Sequence, residues 1–146
     1  KTNVVPESTL VAGDLRALTP TQLARAKATM QRIVGRHYPS TGATLSFDDG
    51  YPPFAAAPGN TTLLELFDRA SRDLGLPSVK SVDPLNAGAA DIAFVAGRVD
   101  MALDGIGLKG RGDHTVGETA DLKSMTIQAK RAAVLLSRLA KRPSTH

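Results

Sequence analysis

Apolar residues recur at helical spacing in three stretches of the chain, and cap residues flank each stretch. In the first, Thr19 is predicted to be the N-cap, Pro20 the first helical position and Gln22 the second half of a capping box. Gly35 is predicted to end this helix. The second helix is predicted to be capped by Asn60 and to end at Gly75, and the third is predicted over residues 121–141. The residues predicted to face a core in the third helix are Leu122, Met125, Ala129, Ala132, Ala133, Leu136 and Leu139.

Short apolar or alternating runs predict strands between these helices, over residues 2–5, 10–16, 43–47, 78–82 and 101–103. The first third therefore has the pattern of a β–β–α–β unit. Residues 51–60 are rich in proline, alanine and glycine, which predicts a boundary between two domains, 1–57 and 58–146. Together these patterns predict an α/β fold.

Composition limits the chemistry that the chain can perform. The 146 residues are 42% hydrophobic but only 4% aromatic, so the core is predicted to consist of Ala, Val, Leu and Ile. Because cysteine is absent, neither disulfides nor thiolate metal sites can form. Any metal ion would need His, Asp or Glu ligands, which favours zinc, manganese or cobalt.

The net charge of +4 arises from basic residues scattered among acidic ones. The densest basic stretch, 130–142, contains no aromatic residues that could stack on bases, so we expect a solvated helix face and no nucleic-acid partner. No run approaches the ~18 apolar residues of a membrane span, and the first residues lack the apolar core of a signal peptide. Because the chain begins without methionine, at a predicted strand end, we expect a fragment whose compartment, cytoplasmic or periplasmic/secreted, the sequence does not define.

The stretch 103–118 has four glycines within residues 105–112, followed by one histidine, His114, and then by a helix. A flexible loop between a strand and a helix is a common place for a functional site in α/β proteins. By residue type alone, an isolated histidine is more often an ordinary surface or core residue than a metal ligand. Small residues at 86–91 also precede a predicted short helix, although alanine-rich helix starts are common packing features.

The order of short motifs along the whole chain resembles the C-terminal portion of the zinc-dependent aminoacylase/carboxypeptidase family. It is most similar to the glutamate carboxypeptidase branch. No single motif is decisive, but their order and spacing are specific. The motifs are Asn3-Val4-Val5-Pro6-Glu7, Gly13-Asp14-Leu15-Arg16, Gly88-Ala89-Ala90-Asp91, Gly105-Ile106-Gly107, and Asp113-His114-Thr115 with Glu118.

The resemblance implies a catalytic α/β domain interrupted by a smaller lid domain that forms a homodimer. Residues 1–57 would be the later part of the lid, and residues 58–146 the C-terminal segment of the catalytic domain. The family hydrolyses an amide bond next to a free carboxylate, in peptides or N-acyl amino acids, with two zinc ions. One zinc ligand would lie in this chain, and the others in the missing N-terminal part of the catalytic domain.

Individual roles follow from the same resemblance. His114 matches the last zinc ligand of the family. Asn3 and Arg16 match the lid residues that hold the substrate carboxylate, a task that suits the forked guanidinium of arginine. Arg16 could equally be a surface charge. Gly88 matches a glycine that approaches the substrate backbone.

The chain also departs from the family pattern. Ala87 and Ala89 replace glycines beside Gly88, which leaves the substrate class open. Asp113 is a candidate for supporting the metal ligand, or simply a turn residue, and Glu118 is predicted to position the loop. The general base and the other zinc ligands are not found, so we expect an enzyme as the parent protein and no catalytic residue in this chain. The alternative is a non-catalytic dimerisation or binding fragment, or an inactive relative.

Overall fold

The computed structural model describes residues 3–141, which divide into two compact units, one ending at Asp48 and one beginning at Asp49. The described residues are mixed α/β but mostly helical. The α-helices are α1 (Pro20–Val34), α2 (Pro58–Asp73) and α3 (Leu122–Ala140). Short 3-10 turns lie at Pro84–Asn86, Asp91–Phe94 and Ala96–Arg98, and two-residue strands β1 (Gly110–Arg111) and β2 (Thr119–Ala120) form an antiparallel pair.

The first unit contains α1, whose predicted caps are confirmed. The hydroxyl of Thr19 accepts a hydrogen bond from the Gln22 N–H at 3.1 Å, and the Gln22 side chain accepts one from the Leu18 N–H at 3.1 Å. Gly35 is the C-cap, as predicted. The helix buries none of its residues, so its caps rather than packing define its ends.

The predicted strands are wrong for residues 3–141, including the one predicted over residues 101–103. Residues 3–16 and 43–47 have no regular structure. The side chains of Val5, Leu10 and Val11 are 89%, 95% and 87% exposed. A strand is stable only when a neighbouring strand satisfies its backbone groups and covers one of its faces. An apolar run without such a neighbour does not form a strand, and its side chains remain exposed to solvent.

The predicted strands in the second unit instead make isolated contacts with side chains of α2. The N–H of Ala102 donates to Asn60 Oδ1 at 2.9 Å, and the N–H of Val79 donates to Asp68 Oδ1 at 2.8 Å. Asn60 was predicted to cap α2, but the helix begins earlier with Ala57 as N-cap. The asparagine therefore anchors the segment that leads to the glycine-rich stretch.

The C-terminus of α2 is closed by Gly75, as predicted. Gly75 has a φ of 69°, its N–H donates to the Arg72 carbonyl at 2.9 Å, and the N–H of Leu76 donates to the Ser71 carbonyl at 3.0 Å. This pair of bonds is a Schellman motif, which needs a left-handed residue that glycine adopts without steric cost.

Helix α3 packs on α2 with a different face from the one predicted. Its limits are within a residue of the prediction, but its buried residues are Ser124, Gln128, Arg131 and Leu135. The face predicted to enter the core is largely exposed, with Leu122 at 70% and Leu136 at 64%. Hydrogen bonds offset the burial of these polar groups, because Arg131 bonds to Ser71 of α2. The hydrophobic core of this unit is small and centres on Phe67 and Ala70.

Asp68 makes the stability of the second unit depend on pH. Hydrogen bonds from the Ser78 hydroxyl, at 2.7 Å, and from the Val79 N–H, at 2.8 Å, lower the pKa of the Asp68 carboxyl below its ordinary value, and Arg72 adds to the effect. A lowered pKa in the folded state contributes stability above the ordinary value of 3.8, which is lost as the pH falls through the folded value. Urea unfolding between about pH 6 and pH 3 should show this loss. Asp68→Asn should flatten the profile, and Glu65→Gln on the same helix should not. Parallel profiles for all three proteins would contradict the prediction.

Candidate functional site

The two short strands form a hairpin that carries the predicted zinc ligand. Gly110 pairs with Ala120 and Arg111 with Thr119, and the N–H of Asp121 donates to the Lys109 carbonyl at 2.8 Å. A Cβ atom on Gly110 would lie 2.7 Å from the Thr119 carbonyl oxygen, so the strands pair this closely only with glycine at that position. The glycine-rich sequence thus allows the hairpin to close.

His114 lies in a tight turn at the tip of this hairpin. The N–H of Thr115 donates to the Gly112 carbonyl at 3.1 Å, and the Thr115 hydroxyl donates to the same oxygen at 2.7 Å. The Thr115 hydroxyl also accepts from the Gly117 N–H at 3.2 Å. Gly112 and His114 have φ angles of 72° and 65°. His114 is therefore held in the left-handed region by hydrogen bonds on both sides of the turn.

The conformation of His114 is unfavourable for a residue with a Cβ atom. A left-handed conformation costs about 1–2 kcal/mol for most L-amino acids; glycine adopts it freely, and Asn, Asp and His occur in it more often than other residues do. The imidazole is exposed, and no hydrogen bond to it is formed within residues 3–141. The turn therefore presents a histidine, at some cost in stability, where a glycine or asparagine would fit the backbone better. Such strain is found most often at functional sites.

Replacing His114 with asparagine should stabilise the fold while removing the imidazole. We expect the free energy of unfolding to rise by about 0.5 kcal/mol, because asparagine tolerates the left-handed region better. Urea titration followed by circular dichroism would measure it. His37→Asn is the matched control, since His37 is also exposed and is not at positive φ. A loss of stability in His114→Asn alone would show that the imidazole makes contacts that hold the hairpin.

Two carboxylates lie beside the hairpin. Asp113 and Glu118 line a shallow depression of about 450 Å³, together with Leu108, Gly110, Thr119 and Ala120. Asp113 makes no hydrogen bond with His114, so its predicted role beside the metal ligand has no contact to support it among the described side chains. Residues 3–141 contain no group of three His, Asp or Glu side chains placed to hold a metal ion. His114 fits the role of one exposed ligand, and the described residues do not complete a zinc site.

The first turns of α3 hold the glycine-rich stretch in place. The Ser124 hydroxyl accepts a hydrogen bond from the Lys109 N–H at 2.8 Å. Gln128 Nε2 donates to the Gly107 carbonyl at 2.8 Å. Both bonds come from the buried face of α3, so the helix fixes the backbone that precedes the hairpin. These residues were not predicted from the sequence, although Ser124, Gln128 and Arg131 share one helix face at intervals of four and three.

Arg131 joins this network to α2. Its Nη1 donates to Gln128 Oε1 at 2.8 Å, its Nε donates to Ser71 Oγ at 2.9 Å, and its Nη2 donates to the Pro77 carbonyl at 3.1 Å. The residue is only 7% exposed, and all three acceptors are neutral. The guanidinium thereby connects the end of α2, the segment after it and, through Gln128, the Gly107 backbone.

The predicted substrate residues are all exposed, and they are divided between the two units. Asn3 and Arg16 lie in the first unit, whereas Gly88 and His114 lie in the second. Arg16 Nε donates to Asp14 Oδ2 at 2.6 Å, a partner that the sequence analysis had not assigned. A Cβ atom on Gly88 would meet nothing within 4 Å, so the fold itself does not require glycine there.

Tyr51 supports the segment that follows Gly88. Its hydroxyl donates to Asp91 Oδ1 at 3.0 Å, and its ring lies 5.2 Å from that of Phe94. The hydrogen bond to the Asp91 carboxylate and its negative charge raise the pKa of Tyr51 above its ordinary value. These contacts tie Tyr51 to the second unit. Its position in a proline-rich segment gave no periodic signal, so the sequence did not predict them.

The chain contains no helix within residues 3–141 that is long and apolar enough to span a bilayer. The similarity to the zinc-dependent family rests on the motifs and their order alone. No protein-family model, curated protein or solved structure matches this chain.

Proposed function

We propose that this chain is the C-terminal portion of a dinuclear zinc exopeptidase or amidohydrolase that cleaves an amide bond next to a free carboxylate. The observation that carries the proposal is the placement of His114, an exposed imidazole held at a φ of 65° on a glycine-rich hairpin. An exposed histidine on a turn that is held by hydrogen bonds and braced by a helix is suited to metal coordination, because the backbone that carries it is in place before the ion binds. Residues 1–57 would belong to a lid that dimerises, and residues 58–146 to the catalytic domain.

In this proposal, residues of this chain bind a zinc ion and orient the substrate. His114 would be one zinc ligand, and polypeptide beyond these 146 residues would supply the others. The zinc ions would polarise the scissile carbonyl. Arg16 and Asn3 would bind the substrate carboxylate, with the guanidinium released from Asp14 in exchange for the stronger two-pronged contact. Gly88 offers a backbone that a substrate can approach without meeting a side chain.

The test begins with the protein purified under native conditions from cells that produce it. Intact mass would be measured after denaturation, and zinc content before it. We expect this sequence within a longer polypeptide, or together with a second one, with about two zinc ions per complex. A single species of 15.3 kDa without zinc would overturn the zinc enzyme and favour the alternative of a non-catalytic binding fragment.

Hydrolysis of an N-acyl glutamate supplies the second arm of the test. Arg16→Ala should raise KM about tenfold or more with a smaller effect on kcat, because a charge-assisted hydrogen bond contributes about 1.5–3 kcal/mol to binding. The α-methyl ester of the same substrate should lose this dependence on Arg16. His114→Asn should abolish zinc-dependent hydrolysis, and His37→Asn should leave it unchanged. Equal rates for the acid and the ester would exclude recognition of a free carboxylate.

A further inference from the structure

An apolar surface runs along the exposed side of α3. We call the surface formed by Leu122, Met125, Ala129, Ala132, Ala133 and Leu136 the apolar stripe. Met125 is 53% exposed, and Leu122 and Leu136, at the two ends of the stripe, are 70% and 64% exposed. At 3.6 residues per turn, these positions form one band along the helix. The band spans four turns.

The stripe is not part of the hydrophobic core of the second unit. The face of α3 that packs on α2 contains Ser124, Gln128 and Arg131, and their polar groups are hydrogen-bonded. Helix α3 is thus unusual in burying a polar face and exposing an apolar one. An exposed apolar band of this length is typical of a surface that another molecule covers.

The charges around the stripe indicate the kind of partner. Lys123, Lys130 and Lys141 are exposed and follow one line along α3, beside the stripe. The helix contains no Asp or Glu between Leu122 and Ala140. Two copies paired antiparallel through the stripe would bring these lysine rows together, and the net charge of +4 adds further repulsion. A partner with carboxylates along its edge would instead be attracted.

The small residues of the stripe favour a protein partner over a lipid surface. Ala129, Ala132 and Ala133 form its centre, and alanine lets a second helix or a sheet approach closely. Helices that bind membrane surfaces usually insert Trp, Phe and Leu, whereas α3 contains no aromatic residue.

We propose that the apolar stripe of α3 is a docking surface for a different polypeptide, whose matching apolar face is bordered by Asp and Glu residues that pair with Lys123, Lys130 and Lys141. This interaction requires neither a metal ion nor substrate, so it stands or falls separately from the proposed hydrolase.

The probe is a fluorescent amphipathic helical peptide with a Leu/Ala face and glutamates along its edges, compared with the same peptide carrying lysines there. Anisotropy titration with the whole chain should show at least about tenfold tighter binding of the glutamate peptide, and this preference should weaken with salt. Lys130→Glu should reduce the preference at least about threefold. Leu136→Gln should weaken binding about fivefold or more, because it removes an apolar contact at one end of the stripe.

Leu85→Gln is the matched control, since it makes the same change at a leucine that is 78% exposed and lies outside α3, in the Pro84–Asn86 turn. It should leave binding unchanged, and circular dichroism should confirm that all variants are folded. Equal binding of the two peptides, binding of neither, or an equal effect of the two glutamine variants would overturn the proposal. Dimers seen in sedimentation that Leu136→Gln dissociates would also overturn it, because they would identify a second copy of this chain as the partner. Binding to phosphatidylserine vesicles that depends on the stripe would overturn it as well.

Discussion

Replacing Arg131 with alanine should lower the free energy of unfolding of the second unit by about 3 kcal/mol, a large effect for an arginine without an acidic partner. The substitution leaves the Gln128, Ser71 and Pro77 oxygens without their guanidinium donor, and each lost bond to a charged group contributes about 1 kcal/mol or more. The space left by the side chain adds to the loss. Urea unfolding followed by circular dichroism would measure the change.

Two variants make this prediction specific. Lys130→Ala, at the exposed neighbouring position, should change stability by less than about 0.5 kcal/mol. Arg131→Lys should give an intermediate loss, because an ammonium cannot reach three acceptors in the fixed fork of a guanidinium. Similar stabilities for Arg131→Ala and Lys130→Ala would show that the buried network makes no net contribution to the free energy of unfolding.

The same substitution should disturb the hairpin that carries His114. Without Arg131, the Gln128 side chain loses the bond that orients it toward the Gly107 carbonyl. Amide resonances from residues 105–115 should then shift or broaden in NMR spectra recorded while the unit remains folded. If the resonances of residues 105–115 are unchanged while the stability is lower, the role of Arg131 is only to hold α3 on α2.

Replacing Gly59 with alanine should lower the free energy of unfolding by about 3 kcal/mol, opposite in sign to the usual effect of alanine in a helix. Alanine normally stabilises a helical position by about 1 kcal/mol over glycine. Here a Cβ atom would lie 1.9 Å from the Asp100 carbonyl oxygen and 2.8 Å from the Met101 side chain. The start of α2 would have to move away, which would break the hydrogen bond between Asn60 and the Ala102 N–H.

Gly88→Ala is the matched control for this substitution, because its Cβ atom would meet nothing within 4 Å. It should leave thermal unfolding unchanged or slightly raise the midpoint, through the lower entropy of the unfolded chain. A Gly59→Ala variant as stable as the original protein would show that α2 does not approach residues 100–101 as closely as described.

Local signals in the sequence predicted the helices well. Thr19, Pro20 and Gln22 define the start of α1 through bonds made within four residues. Gly75 defines the end of α2, and Asp121 caps α3 through the Lys123 N–H. These features depend on neighbouring residues, so they can be predicted without knowing the tertiary structure. The start of α2 was misassigned because Asn60 uses its side chain on Ala102, 42 residues away.

The candidate site was predicted only in part. The glycines of the 103–118 stretch indicated a turn that presents His114, and the structure has a hairpin there. The roles assigned to Asn3, Arg16 and Gly88 remain predictions. The bonds from Ser124, Gln128 and Arg131 were not predicted, because apolar residues were assumed to form the buried face of α3.

The sequence by itself determined the helices, the caps of α1, the end of α2 and the glycine turn, because hydrogen bonds and steric limits within a few residues control them. Only the tertiary structure decided which face of α3 packs on α2 and that the strands form at residues 110–111 and 119–120 instead of in the apolar runs. Both outcomes depend on distant partners, since a helix face is buried only where another element meets it and a strand forms only beside another strand. For that reason Arg131 is buried and Leu136 is exposed.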